Sequence, residues 1–110
     1  MHAFDLDRLL ADRDAAGRSY LEFLRVASLS VGVYHLKAGQ PDLQRPHTED
    51  EVYHVIRGAA RFRAGAEEVA VGPGSVLYVP RLEAHRFLDI TEDLTVLVFF
   101  APPEGSAAQS

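Results

Sequence analysis

The sequence predicts an all-β fold, a barrel or sandwich of short strands with one short helix at its N-terminus. Short runs rich in Val, Tyr, Leu and Phe recur along most of the chain, and Gly, Pro or acidic turn residues separate them at close spacing. The chain has 110 residues, of which 47% are hydrophobic and 25% charged, and shows no internal repeat. Such a composition is typical of one globular domain with a single core.

Residues 1–18 are predicted to form the short helix. Asp5 suits the N-cap position, because its side-chain oxygen can accept a hydrogen bond from a backbone N–H of the first turn. Leu6, Leu9 and Leu10 then lie on one face, and Gly17 can end the helix. We expect the leucine face to pack against an apolar surface of the barrel.

Residues 19–101 are predicted to form the barrel. The stretch SYLEFLRVASLSVGVYHLKAG alternates in polarity and predicts two strands with a break near Ala27-Ser28. Six further strands are predicted from the runs EVYHVIRG, AARFRAG, EEVAVGPG, SVLYVP, HRFLDI and LTVLVFFA. The last residues, 102–110, read PPEGSAAQS, have nothing to bury and are predicted to be a flexible tail.

Composition argues against several classes of function. The formal net charge of -5 and the scattered basic residues disfavour a nucleic-acid partner. The chain contains no cysteine, so a metal would have to be held by histidine, carboxylate or amide oxygen. No apolar stretch approaches the ~20 residues that span a bilayer, and the N-terminus lacks the basic start of a signal peptide. A cytoplasmic location without a membrane partner is predicted.

Two histidines and one glutamate form the strongest candidate site. His47 and Glu51 lie four residues apart in PHTEDEVYHVIRG, Gly58 follows, and His85 comes five residues after Pro80. Imidazole and carboxylate ligands suit Fe(II), Mn(II), Ni(II) or Zn(II). Three such protein ligands leave coordination positions free for water or substrate. The sequence therefore predicts a divalent metal ion as cofactor.

On these motifs the chain resembles the small single-domain cupins, whose double-sheet jelly-roll barrels, or double-stranded β-helices, carry two histidine motifs. In the first motif, Glu51 and Gly58 match the family pattern, and His47 falls on the second of its two histidines. Arg45 stands in place of the first histidine and cannot bind a cation. Arg45 is either a solvated loop charge or an anion clamp over the barrel mouth.

The second motif of the family matches at Gly74, Pro80 and His85, with Leu82 in place of a glycine and Asp89 in place of an asparagine. The resemblance covers about residues 32–100, nearly the whole barrel. It implies a jelly-roll fold and a metal site, but the same fold hosts dioxygenases, isomerases, decarboxylases, storage proteins and ligand-binding modules.

The alternation of side chains along a strand supports the same metal ligands. Glu51, Tyr53 and Val55 would share the inner face, where a carboxylate costs several kcal/mol unless a cation or hydrogen bonds meet it. A second possible set, His47 with Glu49 and His54, is disfavoured because His54 would face the other side from Glu51. The other acids of the TEDE segment are expected to be solvated.

Further residues are assigned around this site. Gln44 is a candidate fourth, oxygen ligand where the family histidine is missing, and Tyr53, Phe87 and Tyr78 are candidate pocket or core aromatics. Tyr53 could also donate a hydrogen bond to a bound ligand. His35 is expected to be an interior or interface histidine.

Three classes of function remain open. The first is a metal-dependent dioxygenase, isomerase or lyase that acts on a small oxygenated acid, and the second is a non-catalytic binder of a small ligand. The third is a scaffold that binds neither metal nor substrate.

A homodimer is also predicted. The run LTVLVFFA is apolar on both faces, so either Phe99 or Phe100 should face away from the barrel interior. We expect the outward residue to lie under the N-terminal helix or at a subunit contact. In a dimer, residues 19–26 of each chain could complete the sheet edge of the other.

Overall fold

A computed structural model describes residues 1–108 and contains one helix and six strands within that range. The elements are α1 (Leu6–Ala16), β1 (Tyr20–Arg25), β2 (Ser30–Leu36), β3 (Asp50–Ala64), β4 (Glu67–Val71), β5 (Val76–Val79) and β6 (His85–Ala101), followed by a 3-10 turn at Ser106–Ala108. No helix in this part of the chain is both long and apolar enough to cross a membrane.

All the strand pairs are antiparallel, and the order across the sheet is β1-β2-β6-β3-β4, with β5 also paired to β3. The long strands β3 and β6 pair with each other along nearly their whole length, from Asp50 opposite Ala101 to Ala64 opposite His85. The register shifts between Val55 and Arg61 mark bulges, which bend a strand. The first half of β3 therefore pairs with β5 and its second half with β4, as in a jelly-roll barrel.

The sequence predicted that the strand EVYHVIRG ends at Gly58. Gly58 instead lies inside the longer strand β3. Its φ is 99°, and a Cβ there would lie 2.4 Å from the Asp93 carbonyl oxygen and 2.7 Å from Leu94 Cα. Only glycine permits both this backbone conformation and this close approach to β6. The predicted runs EVYHVIRG and AARFRAG are thus one bent strand, and HRFLDI and LTVLVFFA are likewise joined in β6.

The predicted helix and its caps are confirmed. Asp5 Oδ1 accepts a hydrogen bond from the Asp7 backbone N–H at 2.9 Å, and Gly17 ends α1 in the left-handed conformation with φ of 67°. Leu9 is the buried residue of the helix, which packs on β1 and β2. The predicted break near Ala27-Ser28 also lies between β1 and β2.

The inner face of the barrel follows the predicted alternation. Glu51, Tyr53 and Val55 are buried, with 1%, 0% and 0% of their surface exposed. On β6, Phe100 points inward and is 2% exposed, whereas Phe99 points outward and is 38% exposed. The helix packs on β1 and β2, and β1 pairs with β2 of the same chain.

The segment after β6 differs from the expected tail without buried residues. Pro103 is buried, and the Glu104 backbone N–H donates a hydrogen bond to Ser30 Oγ at 2.9 Å. Arg25 Nη2 donates to the Glu104 carbonyl at 3.0 Å. Glu104 is therefore held against β1 and β2, a position that short-range polarity could not predict. The rest of the predicted tail, Gln109 and Ser110, lies outside the described residues.

Candidate metal centre

The fold brings His47, Glu51 and His85 to one point from three places in the chain. His47 precedes β3, Glu51 is near the start of β3, and His85 begins β6. The bends in β3 and β6 fold the far end of their ladder back over its beginning. The Leu82 backbone N–H also donates to the His47 carbonyl at 2.7 Å, which ties the two histidine-bearing loops together. One nitrogen or oxygen atom from each of the three side chains lies within 4.8 Å of the other two.

The distances within this group suit a shared cation. His85 Nε2 lies 3.1 Å and His47 Nε2 lies 4.0 Å from the same oxygen, Glu51 Oε1. The side chains of Glu51 and His85 are each 1% exposed, whereas that of His47 is 19% exposed. A metal held here would be buried on the Glu51 side and accessible on the His47 side.

Glu51 carries the clearest sign that the site needs a cation. Both of its carboxylate oxygens are buried, no backbone N–H, Lys or Arg of the described residues donates to them, and the nearest charge-compensating groups are the two imidazoles. An isolated buried carboxylate is strongly unfavourable, and buried charges in proteins are normally paired or bound to metals. The two imidazoles beside it supply the nitrogen ligands that a divalent transition metal prefers. The residues therefore fit a metal ion.

The hydrogen bonding of His85 directs its free nitrogen to Glu51. Its Nδ1 lies 2.9 Å from the Glu83 carbonyl oxygen, so Nδ1–H donates there and Nε2 carries the lone pair in the neutral ring. Burial lowers the pKa of His85, but the Glu51 carboxylate and the Glu83 carbonyl outweigh that effect and raise the pKa above its ordinary value. In the protonated ring, Nε2–H would partly neutralise Glu51, and a metal ion would replace that proton.

Two departures from the cupin pattern occur at unusual backbone positions. Leu82 has φ of 68° and Asp89 has φ of 48°, both in the left-handed region. Glycine adopts this region freely and asparagine or aspartate tolerates it, which accounts for the glycine and asparagine of the pattern. Leu82 keeps the conformation of the missing glycine.

The family model described as cupin domain matches residues 32–100, which is more than half of the chain. This chain belongs to the cupin family. It is 53% identical over 105 residues to an uncharacterized protein of Streptomyces coelicolor, covering 96% of this chain and all of that protein.

Solved structures with the same fold agree with this assignment. TT1209 from Thermus thermophilus superposes with a TM-score of 0.71 at 25% identity, covering 94% of this chain and 99% of that one. KdgF from a Halomonas species superposes with a TM-score of 0.69 at 19% identity, and the match covers 76% of each chain. The DMSP lyase DddQ from Ruegeria pomeroyi superposes with a TM-score of 0.66 at 23% identity, and the match covers 77% of this chain and 42% of that one.

In this cupin, Gln44 turns its amide oxygen towards the metal site. Its Oε1 lies 3.3 Å from His47 Nε2 and accepts a hydrogen bond from the Tyr53 hydroxyl at 2.9 Å. The amide nitrogen donates to Asp42 Oδ2 at 3.0 Å. Because the carboxylate can only accept, Asp42 holds the amide in the orientation that presents its oxygen to the site.

Asp42 is a residue that the sequence reasoning missed. It is 4% exposed and also accepts hydrogen bonds from the Phe87 backbone N–H at 2.8 Å and the Tyr34 hydroxyl at 3.0 Å. These partners come from β2 and β6, so no local pattern around Pro41 distinguishes Asp42 from a solvated loop acid. Its burial is decided by long-range contacts.

Tyr53 and Phe87 lie beneath the metal site. The Tyr53 hydroxyl is 3.0 Å from His85 Nε2, and the two aromatic rings pack edge to face with centroids 5.2 Å apart. Burial, with the nearby Glu51 carboxylate, raises the pKa of Tyr53 well above its usual value, so the phenol stays neutral. The neutral Tyr53 hydroxyl therefore has one proton to donate, and its two neighbouring polar groups are Gln44 Oε1 and His85 Nε2.

A cavity of about 160 Å³ opens beside His47. Neither Tyr53 nor Phe87 is among its lining residues, which are Tyr20, Tyr34, Gln44, His47, Val98, Phe100 and Glu104. Phe100 packs edge to face on the His47 ring with centroids 4.8 Å apart, and Glu104 Oε2 lies 3.7 Å from His47 Nδ1. Burial raises the pKa of Glu104. The exposed side of His47 thus faces a small, partly open cavity.

Glu49 is buried rather than solvated, which corrects the prediction for the TEDE segment. It is 2% exposed, and its two carboxylate oxygens accept the backbone N–H groups of Gly105 at 2.8 Å and Ala107 at 3.2 Å. Thr48 donates a further hydrogen bond. Burial would raise the pKa of Glu49, but these hydrogen bonds outweigh it and lower the pKa. Glu49 fastens the C-terminal segment instead of facing His47 and Glu51.

The remaining candidates lie away from the group. His54 is on the opposite face of β3 from Glu51 and only partly buried, so the alternative set with Glu49 is not brought together. His35 Nδ1 lies 3.2 Å from Thr95 Oγ1, in the half-buried part of β2. Arg45 is exposed in the loop before β3. Tyr78 is not a core aromatic as predicted, because it is 63% exposed on the outer face of β5.

Replacing Glu49 with alanine is expected to release the C-terminal segment. The loss of an ionised acceptor for two backbone N–H groups should lower the free energy of unfolding by about 2–3 kcal/mol. Because the folded-state pKa of Glu49 is lowered, its contribution is complete above the ordinary glutamate pKa and is lost as pH falls through the folded-state value. Amide hydrogen exchange at Gly105 and Ala107 should accelerate in the variant and at acidic pH.

The exposed Glu92 gives a matched control, since Glu92→Ala removes a carboxylate from the barrel surface. It should change neither the exchange rates nor the stability by more than about 0.5 kcal/mol. Unchanged protection of Gly105 and Ala107 in Glu49→Ala would show that Glu49 does not hold the segment.

Proposed function

We propose that this cupin binds one divalent transition-metal ion through His47, Glu51 and His85, with the Gln44 amide oxygen as a fourth ligand. The observation that carries the proposal is the buried Glu51 carboxylate, which has no Lys, Arg or backbone N–H partner among the described residues and lies beside two imidazole nitrogens. By ligand type, Fe(II), Mn(II), Ni(II) and Zn(II) all suit the set. The coordination positions of the metal that no protein side chain occupies would bind a small oxygenated molecule.

The reaction that fits this arrangement is of the dioxygenase, isomerase or lyase type. A bound metal would supply Lewis acidity to an oxygen group of the substrate. The residues of the chain have separate tasks: His47 leaves the metal accessible from the cavity, and the neutral Tyr53 phenol can hold or move a proton at the buried side. The buried wall formed by Phe100 and Val98 limits the access of water.

A binding module without turnover is the second candidate. The small cavity volume of about 160 Å³ favours it, because little room remains for both a substrate and a co-reactant. A protein that binds metal and ligand but releases the ligand unchanged would belong to this class. A barrel without metal would be the scaffold that the sequence also allowed.

We also propose that the chain forms a homodimer. Phe99 is 38% exposed and Val26 is 44% exposed, and β1 lies at the end of the sheet order. Exposed apolar side chains near an open sheet edge are typical of a subunit contact.

Metal analysis tests the proposed function directly. Protein expressed without an affinity tag should contain about one divalent ion per chain after purification, and the metal-free protein should bind at least one of the four named metals with about the same stoichiometry in calorimetry. The metal-loaded protein is then incubated with small oxygenated acids, with and without O2, and the products are analysed. Absence of binding for all four metals would overturn the proposal.

A further inference from the structure

The cavity beside His47 has a distinctive chemical lining. Its polar groups are oxygen atoms together with the Gln44 amide and the His47 ring, and no Lys or Arg side chain is among its lining residues in the described part of the chain. Val98 and Phe100 supply the apolar wall. An anionic group in this space would meet the Glu104 carboxylate, and the neighbouring Arg25 guanidinium is already bound to Glu22 Oε1 and to the Glu104 carbonyl, each at 3.0 Å.

Two of the oxygen groups are free to meet a ligand. The Tyr20 hydroxyl is buried and has no hydrogen-bond partner in the described chain. The Glu104 carboxylate has only the 3.7 Å contact with His47 Nδ1, which is longer than a hydrogen bond. In contrast, the Tyr34 hydroxyl already donates to Asp42 at 3.0 Å. A buried hydroxyl without a partner is unusual and indicates a place for a ligand or a water molecule.

Gly32 makes the position of Tyr20 possible. A Cβ at Gly32 would lie 2.2 Å from both the ring carbon Cζ and the hydroxyl oxygen of Tyr20. The phenol therefore lies flat on the β2 backbone, where only hydrogen fits beneath it. This close packing holds the hydroxyl at the cavity instead of letting it turn to solvent.

We propose that this cavity binds the end of a small neutral or cationic molecule that donates hydrogen bonds, such as an amine or a hydroxyl, to Tyr20 and Glu104. An oxygen group at the other end of the same molecule would reach the metal beside His47, so the inference rests on the proposed function. A second carboxylate at the cavity end is disfavoured. The volume of about 160 Å³ corresponds to about five water-sized groups, which limits the ligand to a short chain.

The selective residues lie outside the part of the chain that defines the family. The family match covers residues 32–100, whereas Tyr20 is on β1 and Glu104 is in the C-terminal segment. The metal ligands all lie within the matched region. Ligand choice in this cupin is therefore set by two flanking segments, one of which is fastened by Glu49.

Three probes of equal carbon chain length test this inference: 4-aminobutanoate, 4-hydroxybutanoate and butanedioate. Each carries one carboxylate for the metal and differs at the far end. Their dissociation constants are measured by calorimetry with the metal-free protein and with protein loaded with whichever of Fe(II), Mn(II), Ni(II) and Zn(II) binds most tightly. We expect 4-aminobutanoate and 4-hydroxybutanoate to bind about tenfold or more tightly than butanedioate, because the far carboxylate meets Glu104 without a donor.

Variants separate the contributions of the two oxygen groups. Glu104→Gln should reduce the preference for 4-aminobutanoate over butanedioate to about threefold or less. Tyr20→Phe should weaken the binding of 4-hydroxybutanoate by about threefold to tenfold. Glu67→Gln, which removes an exposed carboxylate on β4, is the matched control and should leave all three constants unchanged. Metal content is measured for every variant.

Butanedioate binding as tightly as the other probes would overturn the inference, and so would a preference that survives Glu104→Gln. The absence of binding by all three probes at millimolar concentration would overturn it as well. Failure of the metal proposal is distinguishable, because it appears as lack of binding of all four named metals before any probe is added. The order of the probes in metal-free protein then still tests Tyr20 and Glu104.

Discussion

Alanine at His47, Glu51 or His85 is expected to lower metal affinity by about 100-fold or more in each case. The three side chains converge on one point from separate elements, so each supplies a ligand that no neighbour replaces. Gln44→Ala should have a smaller effect, about tenfold, because a water molecule can take the place of its amide oxygen. Calorimetric titration of metal-free protein measures all four variants.

The histidines outside the group provide the controls. His54→Ala changes the opposite face of β3, and His35→Ala changes a residue bonded to Thr95, so both should bind metal as the parent protein does. Glu49→Ala is unsuitable as a control, since it releases the C-terminal segment. Equal loss of affinity in the His54 variant and the ligand variants would contradict the assignment.

The second large effect is an opposite dependence of stability on pH with and without metal. In the metal-free protein the pKa of His85 is raised, chiefly by Glu51 and the Glu83 carbonyl acting against burial. A histidine whose pKa is raised in the folded state stabilises the protein, and this stabilisation is complete below the ordinary histidine pKa. It is lost as pH rises through the folded-state pKa. The metal-free protein should therefore be measurably less stable at pH 8.5 than at pH 6.

The metal-loaded protein should behave in the reverse way. Metal binds the neutral imidazoles, so protons compete with it as pH falls towards and below ~6.5, and the stabilisation by bound metal is lost there. At pH 8.5 with metal in excess, that stabilisation is expected to be several kcal/mol. Urea unfolding at pH 6 and pH 8.5, with metal and with a chelator, gives the four values to compare.

Glu51→Gln is the matched variant for this experiment. It removes the carboxylate that raises the pKa of His85 and that is the proposed metal ligand, while it keeps nearly the same volume. Both pH dependences should become flatter, and added metal should no longer stabilise the protein. Parallel pH curves for the metal-free and metal-loaded parent protein would contradict the proposed coupling between His85, Glu51 and the ion.

Local pattern predicted much of this fold because its signals act over a few residues. Asp5 and Gly17 cap a helix through backbone groups within one turn, and both were predictable from residue type. The alternation along β3 likewise decided that Glu51 and Tyr53 face inward. The join of EVYHVIRG and AARFRAG into one strand was not predictable, since the role of Gly58 depends on its contact with Asp93 and Leu94 of β6.

The sequence by itself determined which residue types could bind a metal, the spacing of His47, Glu51 and His85 along the chain, and the inward direction of the Glu51 side chain. Only the tertiary structure decided the groups that surround them: Asp42, Glu49, Tyr20 and Glu104 each take their role from partners far away in the chain. The physical reason is that burial and hydrogen bonding of a polar side chain depend on which distant strand covers it. No periodicity around the residue records that choice, so these four residues could be found only once β1, β2 and the C-terminal segment were seen to close around the metal site.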